Sequence, residues 1–189
     1  MKRKYVLSKG NKKRITRDFT YAISHFVKER KTFTFEKDCI HNQTSTVETY
    51  GFEYVSMITR KKFSCGTKVQ TECSFEKIGA PLIVFTNEIN DCVYGVHFEV
   101  VAWENGCNVW WILPSFEKEP RLIGQLSFPI IEKSKIELGV EFFKKEIEIS
   151  INGRKFNVLH PDFPEEFYVG ITACEGLNYF YSFVIEDGK

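Results

Sequence analysis

The chain has 189 residues, with 26 Lys or Arg against 25 Asp or Glu. That length fits one domain with a substantial core, and the near-cancelling charge excludes a global field for nucleic acid or a membrane surface. The 18 Phe and 8 Tyr, with many Val and Ile, favour sheet over helix, and no run approaches the ~20 apolar residues of a membrane-spanning helix.

Residues 1–17 hold eight cations (Lys2, Arg3, Lys4, Lys9, Lys12, Lys13, Arg14 and Arg17) and no acid. A solvated, partly mobile terminus is expected, with a small polyanion contact as the alternative. The segment lacks the apolar stretch of a signal peptide. A cytoplasmic location is therefore expected, or a secreted one if the chain is an excised domain. Residues 16–30 predict a helix: Thr16 stands at the N-cap, Asp18 in the first turn, Lys28 and Arg30 in the last. Phe19, Ala22, Ile23, Phe26 and Val27 would line one face, and His25 is expected to be structural. Residues 1–31 thus form a basic segment with a helix, and residues 32–189 a β-domain.

From Thr32 onward strand signals dominate. Thr32–Glu36 alternates, His41–Thr46 is a polar loop, and Tyr54–Arg60 is a strand. Thr67–Phe75 places Val69, Thr71, Cys73 and Phe75 on one side, with Lys68, Gln70, Glu72 and Ser74 on the other. Ala80–Thr86 is a nearly continuous apolar run, as in a strand buried on both faces. Tyr94–Leu113 then reads as a hairpin turning at Asn105-Gly106, because a type I′ turn needs φ > 0 at both central positions. That turn would set Trp103 opposite Asn108 and Trp110 opposite Val101. One face carries Val96, Phe98, Val100, Ala102, Val109, Trp111 and Leu113, which is core chemistry. The other carries His97, Glu99, Val101, Trp103, Asn108, Trp110 and Ile112, and two Trp with a His and a Glu indicate the lining of a groove.

Pro114–Pro120 is a loop, and Leu122–Ile131 is irregular apolar sequence. A second hairpin, Ile136–Ile151, turns at Lys144-Lys145 and pairs Phe142 with Ile147, Val140 with Ile149 and Leu138 with Ile151. Glu137, Glu141, Glu148 and Ser150 form its solvated face. A turn at Asn152-Gly153 brings Phe156 opposite Ile149, and Phe167–Cys174 and Tyr179–Glu186 are two more strands. About ten strands at this spacing indicate an all-β sandwich or barrel. One sheet would be solvated outside and the other functional. The cysteines, Cys39, Cys65, Cys73, Cys92, Cys107 and Cys174, show neither Cys-x-x-Cys nor zinc-finger spacing, so free thiols and no metal are expected. No nucleotide or hydrolase signature is present, and no cofactor is expected.

Three stretches carry a family resemblance: Tyr94–Leu113, the Ile147–Gly153 run ending in Asn-Gly, and Phe167–Ile185. Together they resemble the concanavalin A-like lectin/glucanase superfamily, including its laminin-G-like members, over roughly residues 32–187. The resemblance implies a two-sheet antiparallel jelly-roll sandwich, here with a short N-terminal helix, and a sugar lying across the concave sheet. The chain departs from the laminarinase-type Glu-x-Asp-x-Glu strand, since Glu99-Val100-Val101-Ala102-Trp103 has one acid. Asn87, Asn90 and Asp91 do not reproduce the calcium cluster of legume lectins. Tyr181 stands where laminin-like closing strands often have Asp.

The expected function is carbohydrate binding, to an oligo- or polysaccharide, without nucleic-acid or membrane partners. Sugar rings pack C–H faces on indole, here Trp103 and Trp110, while His97, Asn108 and Gln70 supply hydrogen bonds. A glycoside hydrolase or polysaccharide lyase on the same face is the alternative. It would need two carboxyls flanking the scissile bond, with Glu99 and Glu72 as the candidates. An intracellular protein-interaction sandwich is a second alternative.

Overall fold

Strand periodicity sorts most of this chain into two layers. The computed structural model describes residues 1–23, 33–43, 55–91, 93–113 and 119–188. Among them the first strands are β1 (Lys2–Val6), β2 (Phe19–Ile23), β3 (Thr34–Phe35), β4 (Ile40–Gln43), β5 (Val55–Thr59) and β6 (Phe63–Ser64). Next come β7 (Lys68–Glu76), β8 (Pro81–Thr86), β9 (Ile89–Asn90), β10 (Val93–Tyr94), β11 (His97–Trp103) and β12 (Gly106–Ile112). The last are β13 (Arg121–Ser127), β14 (Ile136–Phe143), β15 (Glu146–Ile151), β16 (Arg154–Leu159), β17 (Glu166–Ala173) and β18 (Leu177–Glu186). Helix α1 (Lys12–Asp18) lies between β1 and β2.

An eight-stranded sheet has the order β16-β15-β14-β7-β18-β4-β3, with β1 also on β18. A ten-stranded sheet runs β13-β12-β11-β8-β17-β5-β2-β10-β9, with β6 on β17. The short β10–β2 pair is parallel and the other pairs are antiparallel. The result is a jelly-roll sandwich. No helix among the described residues is long and apolar enough to cross a membrane.

The inner faces meet in one aromatic-rich core. The Phe85 ring stacks on Phe98 at 5.1 Å in its own sheet and meets Phe142 of the opposite sheet edge-on at 4.9 Å, a geometry the ring quadrupoles favour. All six residues of β8 are buried. Ile83 and Phe85 enter the main core, while Leu82 and Val84 join a second, smaller cluster on the outer side of the ten-stranded sheet.

Both later hairpins have the expected register: Phe142↔Ile147, Val140↔Ile149 and Leu138↔Ile151 pair, and Ile149 faces Phe156. Asn152 (φ 48°) and Gly153 (φ 79°) fit the type I′ turn. The Trp-rich hairpin differs. Its pairs are Trp103↔Gly106, Val101↔Asn108, Glu99↔Trp110 and Phe98↔Trp111, so the turn sits at Glu104-Asn105 and partners move by two positions. Tertiary contacts set this turn: Ile130 N–H donates to Glu104 O at 2.8 Å and Phe128 N–H to Asn105 O at 3.2 Å. Gly106 is drawn into the strand, where φ is +127° and a Cβ would lie 2.0 Å from Leu126 O. An even shift leaves every side chain on its expected face.

The helix expected over residues 16–30 is displaced. α1 ends at Asp18, and Thr16 lies inside it, its hydroxyl donating to Lys12 O at 3.0 Å. Phe19–Ile23 pairs with β5 instead. Phe19 enters the main core and Ala22 the outer cluster, so burial on both faces of a strand imitated helical spacing. His25, Phe26 and Val27 lie outside the described residues, as does Cys92. The N-terminal segment, expected to be solvated, is tied down: β1 pairs with β18 over Lys2↔Glu186 to Val6↔Ser182, and Tyr5, Leu7 and Ile15 are in the core. Part of the irregular stretch 122–131 is β13, whose alternation is broken by Gly124 and by a bulge opposite Val109/Trp110. The described cysteines Cys39, Cys65, Cys73, Cys107 and Cys174 are free thiols.

Gly106→Ala is expected to destabilise by roughly 3 kcal/mol or more, since a methyl group meets backbone at a positive φ. Gly153→Ala meets open space and should cost about 1–2 kcal/mol, the left-handed penalty alone. Urea midpoints of the two variants check the order.

Candidate functional site

The groove forms on the outer face of the ten-stranded sheet. Alternation along β11 sends His97, Glu99, Val101 and Trp103 to this face, and β12 sends Asn108, Trp110 and Ile112. The ends of β8 and β17 close one side, where Cys174 N–H donates to Ala80 O and Ala80 N–H to Glu175 O, both at 3.3 Å. Ala80, Glu99, Val101, Trp103, Asn108, Trp110, Ile112, Pro120, Cys174 and Glu175 enclose about 600 Å³ that opens to solvent.

Trp103, Trp110 and Asn108 are half-buried. In the observed register Trp110 is opposite Glu99 and Trp103 opposite Gly106. The two Trp positions are therefore four residues apart along the strands, about 13 Å, where a two-residue offset was expected. Val101 and Asn108 lie between them. Trp103 Nε1 and Asn108 Oδ1 have no hydrogen-bond partner among the described residues, so the groove walls carry one orphan donor and one orphan acceptor.

Beneath the wall lie two titratable groups. His97 is 0% exposed and Glu99 3%. The His97 Nδ1 lies 3.1 Å from Gly95 O, and a carbonyl only accepts, so Nδ1 carries the hydrogen. Nε2 is 3.3 Å from Glu99 Oε1, and the ring packs 4.9 Å from Tyr94. Burial pushes the Glu99 carboxyl up to about 8, so at neutral pH it holds its proton.

Trp111 projects to the core side as expected, but at the rim. It is half-buried, its ring is 4.7 Å from His160, and the Arg121 guanidinium lies 5.3 Å from it. Gln70 and Glu72 do not reach the groove. Both lie on β7 of the eight-stranded sheet, outside the core, and Glu72 Oε1 is 2.6 Å from Lys135 Nζ. Parity identified the polar side of their strand correctly, but that side faces away from Glu99 on the opposite surface of the sandwich. The catalytic pairing of Glu99 with Glu72 is thereby excluded. The second carboxyl at the groove is Glu175, from the β17–β18 connection. No local signal marked it, because only tertiary folding brings that turn beside β11 and β12. Among the described residues no three metal-ligating side chains cluster.

Glu99 gives a pH signature. Below its ordinary value of 4.5 both folded and unfolded chains hold the proton and folding carries no penalty. Between there and about 8 only the folded state holds it, so stability falls as pH rises, and above about 8 the loss is complete. The total is on the order of a few kcal/mol. Glu99→Gln removes the ionisation, so melting temperatures of the wild type and the variant should diverge from about pH 5 to about pH 8.5, the wild type falling faster. Parallel curves would refute the burial of this carboxyl.

No protein-family model matches the sequence, and no curated protein matches it significantly. Solved structures do match the fold. A carbohydrate-binding module from Bacillus subtilis superposes with a TM-score of 0.68 at 10% identity, covering 87% of this chain and 93% of that one. A legume lectin-like domain from Entamoeba histolytica gives 0.64 at 14% identity, covering 97% and 96%. A glycosyl hydrolase family protein from Mycobacterium fortuitum gives 0.56 at 12% identity, covering 90% and 92%. At these identities what the chain shares with them is the lectin-like jelly-roll fold, of the concanavalin A-like kind.

Proposed function

We propose that the chain is a lectin-like carbohydrate-binding domain whose ligand lies in the groove of the ten-stranded sheet. The observation that carries this is the pair of half-exposed indoles, Trp103 and Trp110, bracketing a polar centre at Asn108. Indole faces pack against the C–H faces of sugar rings, and orphan polar groups between them take hydroxyls. A span of about 13 Å suits an extended oligosaccharide rather than one ring. The fold shared with carbohydrate-binding and lectin-like domains supports the same reading. His97 acts from below, by holding Glu99. Gln70 is no part of the site.

A second reading, glycoside hydrolysis, is favoured by the chemistry of Glu99. A carboxyl that keeps its proton at neutral pH is suited to general-acid work, and Glu175 lines the same groove as a second carboxyl. Retaining chemistry would need the two about 5.5 Å apart and inverting chemistry a wider gap.

Glycan-array screening of the purified protein, followed by calorimetry on the best ligand, tests both. Trp103→Ala and Trp110→Ala should each weaken binding at least about tenfold while costing less than about 2 kcal/mol of stability. Glu99→Gln should leave binding nearly intact under the lectin reading, and abolish product formation from the bound glycan under the hydrolase reading. Absence of glycan binding across the array would sink the proposal.

A further inference from the structure

A basic surface at the edge of the sandwich carries chemistry that the groove does not use. Helix α1 holds Lys12, Lys13, Arg14 and Arg17, and its one buried side chain is Ile15. Ile15 packs into the main core, so the cations are held outward on a fixed element, and all four are exposed. β5, which pairs with the strand that follows the helix, leads into Arg60, Lys61 and Lys62, also exposed. Two bonds stitch this turn to the helix. Arg60 N–H donates to Asp18 O at 3.0 Å, and Arg60 Nη2 donates to Thr16 O at 3.4 Å. Segments far apart in sequence thus form one surface.

Carboxylates neutralise two of these cations: Arg17 is 2.9 Å from Asp18, and Lys61 is 3.8 Å from Asp187. No ion pair among the described residues involves Lys12, Lys13, Arg14, Arg60 or Lys62. Three of the five lie over aromatic rings instead: Lys12 is 5.1 Å from the Phe35 centroid, Arg14 5.2 Å from Tyr5 and Lys62 5.4 Å from Tyr168. Such contacts restrain a cation without cancelling its charge, which lowers the entropy lost on binding.

The placement works against the stability of the helix. Three consecutive cations occupy the first turn, where no acid is present and where the helix dipole disfavours positive charge. Lys13 and Arg17 add a like-charge i,i+4 pair. Packing requires only Ile15 here, and neutral helix formers would serve the exposed positions as well. The charge answers to something outside the fold.

We infer that this surface binds a linear acidic polysaccharide, whose carboxylate or sulfate groups meet Lys12, Lys13 and Arg14 on the helix and Arg60 and Lys62 on the turn. A nucleic acid fits less well. The whole chain carries a net charge of only +1, a weak field for a dense phosphate backbone. The Tyr5 ring beneath Arg14 is 3% exposed and offers no face on which a base can stack.

The test uses the full chain with two probes, a heparin-derived oligosaccharide and polygalacturonate, and duplex DNA of matched charge as the comparison. The wild type should bind both polysaccharides at ~50 mM salt and lose affinity as salt rises. Lys12→Gln/Lys13→Gln/Arg14→Gln should weaken binding at least about tenfold with an unchanged or slightly raised melting temperature. Lys155→Gln, on the eight-stranded sheet, and Trp103→Ala, in the groove, should leave it unchanged. Three results would overturn the inference: no binding at low salt, equal binding by the triple variant, or tighter binding to DNA than to either polysaccharide. An equal loss in Trp103→Ala would also overturn it, by moving the polymer into the groove.

Discussion

The ten-stranded sheet is dry on both sides, and much of the molecule follows from that. Its inner face makes the aromatic core around Phe85, Phe98 and Phe167. Its outer face is not left to water either: Ala22, Ile58, Leu82, Val84, Tyr94 and Val101 form a second buried cluster there. An outer face of this kind cannot be a solvated surface of mixed charges like that of the eight-stranded sheet, where Glu148 pairs with Lys155 and Glu72 with Lys135. At ~25 cal/mol per Å² of apolar surface removed from water, covering a second face adds stability. It also restricts polar chemistry to the few positions where that cover thins.

The groove is such a position, and this explains its unusual carboxyl. Glu99 lies on a strand whose outward neighbours are apolar, so it pays desolvation and holds its proton. His97, one step along the same face, is buried with it, and the two buried groups keep each other company where water cannot reach. The indoles at either end inherit a firm backing from the same sheet. A platform that does not move has less entropy to lose when a ligand settles on it. Binding and proton chemistry thus share one cause, the low dielectric behind the groove.

Local chemistry made parts of this architecture legible from residues alone. The turns at Lys144-Lys145 and Asn152-Gly153 lie between strands that need nothing else to set their register, and their pairs came out as expected. Asn105-Gly106 has the stronger hairpin signature, yet its turn is shifted because residues 128–130 bind the carbonyls of Glu104 and Asn105. Parity survived that shift, so the faces of β11 and β12 were readable while the spacing of Trp103 and Trp110 was not. Parity also has a limit: it tells inside from outside on one strand, not which sheet the strand joins. Gln70 and Glu72 therefore pointed outward on the wrong surface, and Glu175 was invisible because only the folded chain brings it to the groove. Phe19–Ile23 read as helix for the reason that opens this section, since a strand buried on both faces loses its period of two.

The pairing of β1 with β18 has a mechanical meaning. The amino group of Met1 donates to Asp187 O at 2.9 Å, and from there the two strands run antiparallel, Lys2 beside Glu186 through to Val6 beside Ser182. Tension applied between residues 1 and 187 would load these backbone bonds one after another, as a zipper opens, rather than all together in shear. β1 would peel away at low force, and the load would next reach α1, where Ile15 is the buried anchor. The groove hairpin sits on the other sheet, outside that path, and would keep its shape while the edge of the sandwich opened.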